Sequence, residues 1–329
     1  MADRPLRIAV IGVGRIGSLH AALLTGRVEG AKLAAVADID ENRAGELGSR
    51  LGVPALGVDD AIGADVDAIA VCSSTDAQVG LVVAAADAGR HVFCEKPVAY
   101  SLAELDRAIE ATERAGVLFH VGYNRRFDPG HSAVREAVAA GVVGELHLVR
   151  ITSRDPEPPP AGYVSPGGIL GDTTIHDFDM ARFVTGSEVV EVFVRGTPRL
   201  PTTAEGDLDT LVVVLQHADG TITAIDNSLS AVYGYDQRVE AFGSKGMAAS
   251  GQRRQHEAVV WDAQGGRSAP LQRFFAERYE EAYARQWSAF VAAVRAGGPA
   301  PVDGRDAYAA LAIGLAARRS VEQGQPVSV

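Results

Sequence analysis

The chain has 329 residues, with 31 Lys and Arg against 42 Asp and Glu for a net charge of −11. That length suits two domains of roughly 150 residues, and 47% hydrophobic with 22% charged side chains supplies material for a core and excludes disorder by composition. The acidic balance excludes general binding to nucleic acid or to an anionic membrane, which needs clustered cations to neutralise phosphates.

In chain order, short apolar runs at 6–13, 33–37, 68–72, 91–94 and 117–121 read as buried strands. Helical patterns at 17–24, 41–51, 77–88 and 101–115 separate them. Strands continuous in Val, Ile, Ala and Leu and alternating with helices predict a doubly wound parallel sheet covered on both faces. Beyond about residue 122 longer strand-like runs at 145–152, 188–195, 210–216, 221–230, 238–242 and 258–261 follow one another without helices between them. They predict an open, mainly antiparallel sheet. Helices at 172–185, 276–296 and 303–323 are expected to cover one of its faces. The expected division is therefore a doubly wound domain at 1–122 and a second, sheet-based domain at 123–329, with the last helix a candidate to pack back on the first domain. The loop 155–160, Asp-Pro-Glu-Pro-Pro-Pro, is stiff by composition. Residues 211–215, Leu-Val-Val-Val-Leu, are apolar on both faces of their strand, where a sheet with one face in water should alternate. The uncovered face is expected to take a partner subunit, though a segment of the same chain would also serve.

Cys72 and Cys94 lie in no CxxC or Cys/His pattern, which gives neither a disulfide framework nor a metal site. The cytoplasm is the expected compartment. The apolar run near the start is too short and too interrupted by glycine for a signal peptide or a membrane span, and no stretch reaches about 18 apolar residues. Of the 31 cations only Lys32, Lys96 and Lys245 are lysine. In a chain that otherwise uses arginine, each lysine asks for a reason.

Gly12-Val13-Gly14-Arg15-Ile16-Gly17 follows the first strand and opens a helix, where a dinucleotide pyrophosphate needs close backbone approach and unpaired helix N–H groups. Asp38 ends the second strand, placed to accept from the adenosine ribose hydroxyls and to repel a 2′-phosphate, which favours NAD over NADP. It could also cap the helix at 41–51. Glu95-Lys96-Pro97 stands at the carboxyl end of a parallel strand, where ligands of open α/β sheets bind, and a lysine there offers a compact ammonium. The alternative is an ordinary surface lysine. Ser73, at the end of the third strand run, is a further candidate for cofactor contact.

In the second half, Gly167-Gly168-Ile169-Leu170-Gly171-Asp172-Thr173-Thr174-Ile175-His176-Asp177-Phe178-Asp179 is the stretch most suited to chemistry. On one continuous helix Asp172, His176 and Asp179 would share a face, and a carboxylate beside an imidazole makes a general base. A cap plus a core histidine, or a metal site, are competing readings; neither HxH nor HExxH spacing is present. Asn124, Arg125 and Arg126 lie at the domain junction, either as ligand contacts or as part of a solvated charge run. Asp155 and Tyr235 are further polar candidates, each equally at home as a turn anchor.

These motifs, in this order and spacing over nearly the whole chain, resemble the glucose-fructose oxidoreductase/inositol dehydrogenase/rhizopine catabolism (Gfo/Idh/MocA) family. Residues 14–20, 124–129, 153–156, 174–183 and 233–236 are more narrowly similar to its inositol 2-dehydrogenases. The resemblance implies a dinucleotide-binding Rossmann domain at 1–122, a substrate-binding and oligomerisation domain at 123–329 with an open, mainly antiparallel sheet, and NAD-linked oxidation of a ring hydroxyl of a cyclitol, most closely myo-inositol to 2-keto-myo-inositol, by a homo-oligomer, commonly a tetramer. It implies catalysis by Lys96, Asp172 and His176. Cofactor contacts would come from Gly12, Gly14, Arg15, Ile16, Gly17, Asp38, Ser73, Glu95, Lys96 and Arg126. Substrate contacts would come from Lys96, Asn124, Arg125, Arg126, Asp155, Asp172, His176, Asp179 and Tyr235, with no metal. Dehydrogenation of a pyranose sugar or sugar acid, an NAD-recycling glycosidase and a non-enzymatic NAD sensor are the alternatives on the same fold.

Overall fold

A computed structural model describes residues 4–158 and 167–329. The chain divides into two compact units, Met1–Asn124 with Ala282–Leu311, and Arg125–Glu281 with Ala312–Val329. Among the described residues no helix is long and apolar enough to cross a membrane.

In the first unit β1 (Leu6–Ile11), α1 (Arg15–Leu24), β2 (Ala31–Ala37), α2 (Glu41–Leu51), β3 (Ala55–Leu56), α3 (Val58–Gly63), β4 (Ala68–Val71), α4 (Thr75–Asp87), β5 (His91–Cys94), α5 (Leu102–Ala115) and β6 (Phe119–Val121) follow in order. All the strand pairings are parallel, in the order β3-β2-β1-β4-β5-β6. The order reverses between β1 and β4, which is where such sheets leave a crevice for ligands. Ile8, Ala9, Val10 and all of β4 are fully buried, as a strand covered on both faces requires. Local chemistry sets the helix ends. Ser101 caps α5 by accepting from the Glu104 amide, and its hydroxyl donates to the Glu104 carboxylate; α5 stops at Gly116 in the left-handed region.

The late helix α10 (Glu280–Ala296) begins only after the short α9 (Phe275–Arg278) and a break at Tyr279. Its residues from Ala282 onward belong to the first unit, not to the second sheet as expected. There the Trp287 ring stacks on Phe93 at 4.2 Å, and Phe290 packs edge-on against both rings. Helix α11 (Gly304–Gln323) passes from the first unit to the second after Leu311.

The second unit contains α6 (Pro129–Ala139), β7 (Leu146–Arg154), α7 (Gly168–Asp172), α8 (Ile175–Thr185), β8 (Val189–Thr197), β9 (Thr210–His217), β10 (Ile222–Ser228), β11 (Asp236–Gly243), β12 (Gly246–Ser250), a hairpin β13 (Val259–Asp262) and β14 (Gly265–Ser268), and β15 (Val327–Ser328). Its main sheet runs β12-β11-β7-β10-β9-β8-β15, antiparallel except for β7 with β10. Along β9, Leu211, Val213 and Leu215 are buried while Val212 and Val214 are 50% and 41% exposed. Part of the proline loop, Pro159 and Pro160, lies outside the described residues.

Asp128 caps α6 by accepting from the amides of Gly130 and His131, and Arg278 donates to its other oxygen. His131 is buried beside it, 3.2 Å from the Ser250 hydroxyl. Burial, with Arg278, Arg125 and Arg253 nearby and only Asp128 opposing, pushes the His131 pKa down to about 3. Between that value and the ordinary value of about 6.5 the unfolded chain binds a proton that the native state refuses, so stability rises with pH by up to about 1.4 kcal/mol per unit. Thermal stability is therefore expected to fall as pH drops below about 6.5, and His131→Asn to flatten that fall between about pH 6.5 and 5. Equal slopes in the two proteins, measured by thermal melts, would contradict this assignment.

Candidate active site

The three loop glycines do different things. Gly12 has φ +87°, and a Cβ there would sit 2.6 Å from the Cys72–Ser73 backbone. A Cβ on Gly17 would sit 1.8 Å from the Gly12 carbonyl oxygen. These two let the turn, β4 and α1 meet. A Cβ on Gly14 would meet nothing within 4 Å beyond its own stretch of chain, so no packing inside the protein asks for a glycine there. Space at the middle glycine, at a helix start and at the strand-order reversal, is the cradle that a dinucleotide pyrophosphate requires. The residues therefore fit NAD. Arg15 and Ile16 open α1 at this point.

Asp38 follows β2 and is mostly buried; one oxygen accepts from the Val13 amide at 2.7 Å and the other from the Asp40 amide at 2.9 Å. It ties the glycine loop to the end of β2. The cap of α2 is Asp40, which accepts from the Arg43 amide, so the alternative role considered for Asp38 falls to its neighbour. A carboxylate oxygen has lone-pair capacity beyond one amide, which leaves Asp38 able to accept from ribose hydroxyls. Ser73 is positioned by Gln78: its carbonyl accepts from the Gln78 amide, and the Cys94 thiol donates to the Gln78 oxygen. Burial pushes both the Cys72 and Cys94 thiols up.

Lys96 follows β5, and the Lys96–Pro97 peptide is cis. The side chain of Glu95, a residue expected among the cofactor contacts, is held within the unit. Its carboxylate is buried, with Oε1 2.8 Å from His20 Nε2 and Oε2 accepting from the Lys96 amide. Asn124, at the end of this unit, is buried, and its Nδ2 has no hydrogen-bond acceptor among the described residues.

In the second unit the expected continuous helix is two. Gly167 and Gly168, at φ +86° and +62°, turn the chain into α7, which ends at Asp172. The Thr174 amide reaches back five residues to the Ile169 carbonyl, a π-type step, and α8 starts at Ile175. The break has a tertiary cause, because the Thr174 hydroxyl bonds to Asn227 on β10 at 2.7 Å. Asp172 and His176 thus stand on either side of this joint, at the end of α7 and in the first turn of α8.

Two candidates prove to be structural partners. Arg125 is 5% exposed and donates through Nη1 to Asp177 at 2.6 Å and to Ser153 at 3.1 Å, so this nitrogen is engaged inside the unit. Burial holds Asp177 above its ordinary pKa, with Arg125 and Asn227 opposing. Arg126 grips Asp179 through Nε and Nη2, both within 3.1 Å. That bidentate geometry locks Asp179 to Arg126. Asp155 is anchored through its backbone to Ser228 and Ala231. Tyr235 packs edge-on against Tyr279, and it is Tyr233 that bonds Asp236 and Arg154.

Sequence reasoning missed His20, Gln78 and Trp287, which hold the cofactor-side loops from behind. His20 had a signal, as a histidine one turn after the last glycine of the loop; the others had none. The glycine geometry makes a separable prediction. Gly14→Ala is expected to weaken NAD binding about tenfold or more with little change in melting temperature, since only a ligand would meet the added methyl. Gly17→Ala is expected to lower stability itself, by about 2 kcal/mol or more. NAD titrations paired with thermal melts test both, and a Gly14→Ala protein that binds NAD normally would refute the cradle.

Two family models match the chain: an oxidoreductase family with an NAD-binding Rossmann fold over residues 6–123, and the GFO/IDH/MocA C-terminal domain over residues 131–249. The chain is 45% identical to a myo-inositol 2-dehydrogenase of Thermotoga maritima, covering 98% of each. It is 40% identical to an inositol 2-dehydrogenase of Rhizobium meliloti, covering 98% of this chain and 99% of the relative. A Lactobacillus casei scyllo-inositol dehydrogenase, solved with NAD(H) and scyllo-inositol, superposes with a TM-score of 0.91 at 26% identity over 99% of both chains. With both halves matched and relatives aligned end to end, the chain belongs to the GFO/IDH/MocA oxidoreductase family.

Proposed function

We propose that this protein is an NAD-dependent inositol 2-dehydrogenase that oxidises a ring hydroxyl of a cyclitol, with myo-inositol to 2-keto-myo-inositol as the leading reaction. The observation that carries this reading is the 45% identity to a myo-inositol 2-dehydrogenase over 98% of both chains. The alternative of a sugar acid calls for an arginine fork to grip its carboxylate; Nη1 of Arg125 is engaged by Asp177, and the Nε/Nη2 edge of Arg126 by Asp179. A neutral polyol, whose hydroxyls both donate and accept, suits the remaining candidates Asn124, Asp155, Asp172, His176 and Tyr235.

In this reading His176 takes the hydroxyl proton as general base, and Lys96 donates a hydrogen bond to the same oxygen, stabilising the alkoxide-like charge that develops as the C–H bond breaks. Asp172 orients substrate and the two groups. Bound NAD supplies the hydride acceptor at nicotinamide C4, and the products are a ketone, NADH and a proton. Asp38 would oppose a 2′-phosphate by like charge, favouring NAD over NADP.

A screen of NADH absorbance against cyclitols, aldoses and uronic acids, run with NAD and NADP, is expected to show cyclitol turnover with NAD. Lys96→Ala or His176→Ala should lower kcat by about two orders of magnitude or more with NAD still bound. Uronic acid oxidation without cyclitol turnover, or near-normal kcat in both variants, would overturn the assignment.

The open sheet face supports self-association, to a tetramer in our reading. Val214 lies opposite Phe193 and Ala224, and Phe242 opposite Leu148 and Met247. Of these, Val214, Phe242 and Met247 are exposed, and an apolar patch of that kind marks an interface. Light scattering after size exclusion is expected to give an oligomer for the wild type and a smaller species for Val212→Lys/Val214→Lys. A monomeric wild type at micromolar concentration would refute it.

A further inference from the structure

His20 is fully buried in the first unit, caged by Phe93, Tyr283 and Trp287 at ring distances of 5.1, 5.5 and 5.7 Å. Both of its nitrogens are used. The Trp287 indole N–H donates to Nδ1 at 2.9 Å, and an indole nitrogen can only donate. Nδ1 is therefore the acceptor, and the ring proton sits on Nε2, which donates to Glu95 Oε1 at 2.8 Å. The second oxygen of Glu95 accepts from the Lys96 amide at 3.2 Å. Room for this carboxylate is made by Gly122, where a Cβ would lie 2.8 Å from the Glu95 carboxyl carbon. The result is an unbroken line of hydrogen bonds from a core indole to the backbone of the lysine segment.

We propose that His20 is a positioning residue for Lys96: with its tautomer set by Trp287, it holds one oxygen of Glu95 so that the other fixes the Lys96 amide. This rests on the reading of Lys96 as the group that meets the substrate hydroxyl. A buried carboxylate that loses one of its donors turns toward others, and the segment it anchors loses its fixed direction. A misplacement of about 1 Å at a reacting group can cost up to about a hundredfold in rate.

The chain contains only Lys32, Lys96 and Lys245, so reductive methylation with carbon-13 gives a lysine spectrum simple enough to read, with Lys96 assigned by Lys96→Arg. In His20→Leu the Lys96 resonance is expected to shift or broaden while those of Lys32 and Lys245 stay in place. His20→Gln, whose amide N–H can replace Nε2–H toward Glu95, should restore it. Unmethylated His20→Leu is expected to lose about tenfold or more in kcat with NAD affinity within about twofold of wild type, and His20→Gln to recover most of it. If His20→Leu fails to fold, Trp287→Phe, which keeps the stacking on Phe93 and removes the indole N–H, is read in the same way. A Lys96 resonance unmoved in the folded variant, or a glutamine that behaves like leucine, overturns the proposal. The lysine spectrum needs no substrate, so a wild type inactive on cyclitols but with a responsive Lys96 would defeat the proposed reaction and leave the positioning role standing.

Discussion

The carboxylate of Asp177 has no solvent exposure, and the loss of its hydration has to be offset by the donors that surround it. Arg125 meets one oxygen and Asn227 the other, while the Asn227 oxygen accepts from Thr174. Ser153 receives the same arginine and donates to Gln237, which also accepts from Tyr279. Strands β7, β10 and β11, helix α8 and the segment before α10 are thereby joined through one polar cluster inside the second unit. His176 precedes Asp177 directly, so the backbone that carries the proposed base is fixed by the neighbour whose side chain points into the core. Removing one partner of such a pair would leave a charge stranded in low dielectric, which costs more than the pair itself contributes.

The first unit solves a similar problem with backbone rather than charge. Gly12 and Gly17 bring three elements closer than any side chain would allow, and Asp38, Gln78 and Glu95 each hold a loop at the carboxyl end of a strand. Each directs a buried or nearly buried polar group at a backbone amide or carbonyl, so the loops that would face NAD are set before it arrives, as preorganisation requires.

Much of this was legible in the sequence because period and punctuation report on local physics. The parallel strands announce themselves as unbroken apolar runs, and the open face of β9 shows in Val212 and Val214. What stayed hidden depends on partners far along the chain. The pattern of 172–185 is helical throughout, yet Thr174 is bonded to a strand residue 53 positions away, and the helix yields there. Arg125 and Arg126 read either as ligand contacts or as a charge run, since nothing local says that each faces a carboxylate more than 50 residues later. Strands as short as β3 and β15, two residues each, carry no period to detect.

Cys72 and Cys94 stand near the carboxyl ends of β4 and β5, both buried and both with thiols pushed up by desolvation. A thiol kept protonated and out of solvent offers peroxide almost no thiolate to attack, so neither residue has an easy first step toward sulfenic acid. The sheet beneath the cofactor loops is thus insulated from the oxidant tone of its surroundings, and a catalyst that itself moves reducing equivalents is built without a sulfur that could be spent by them.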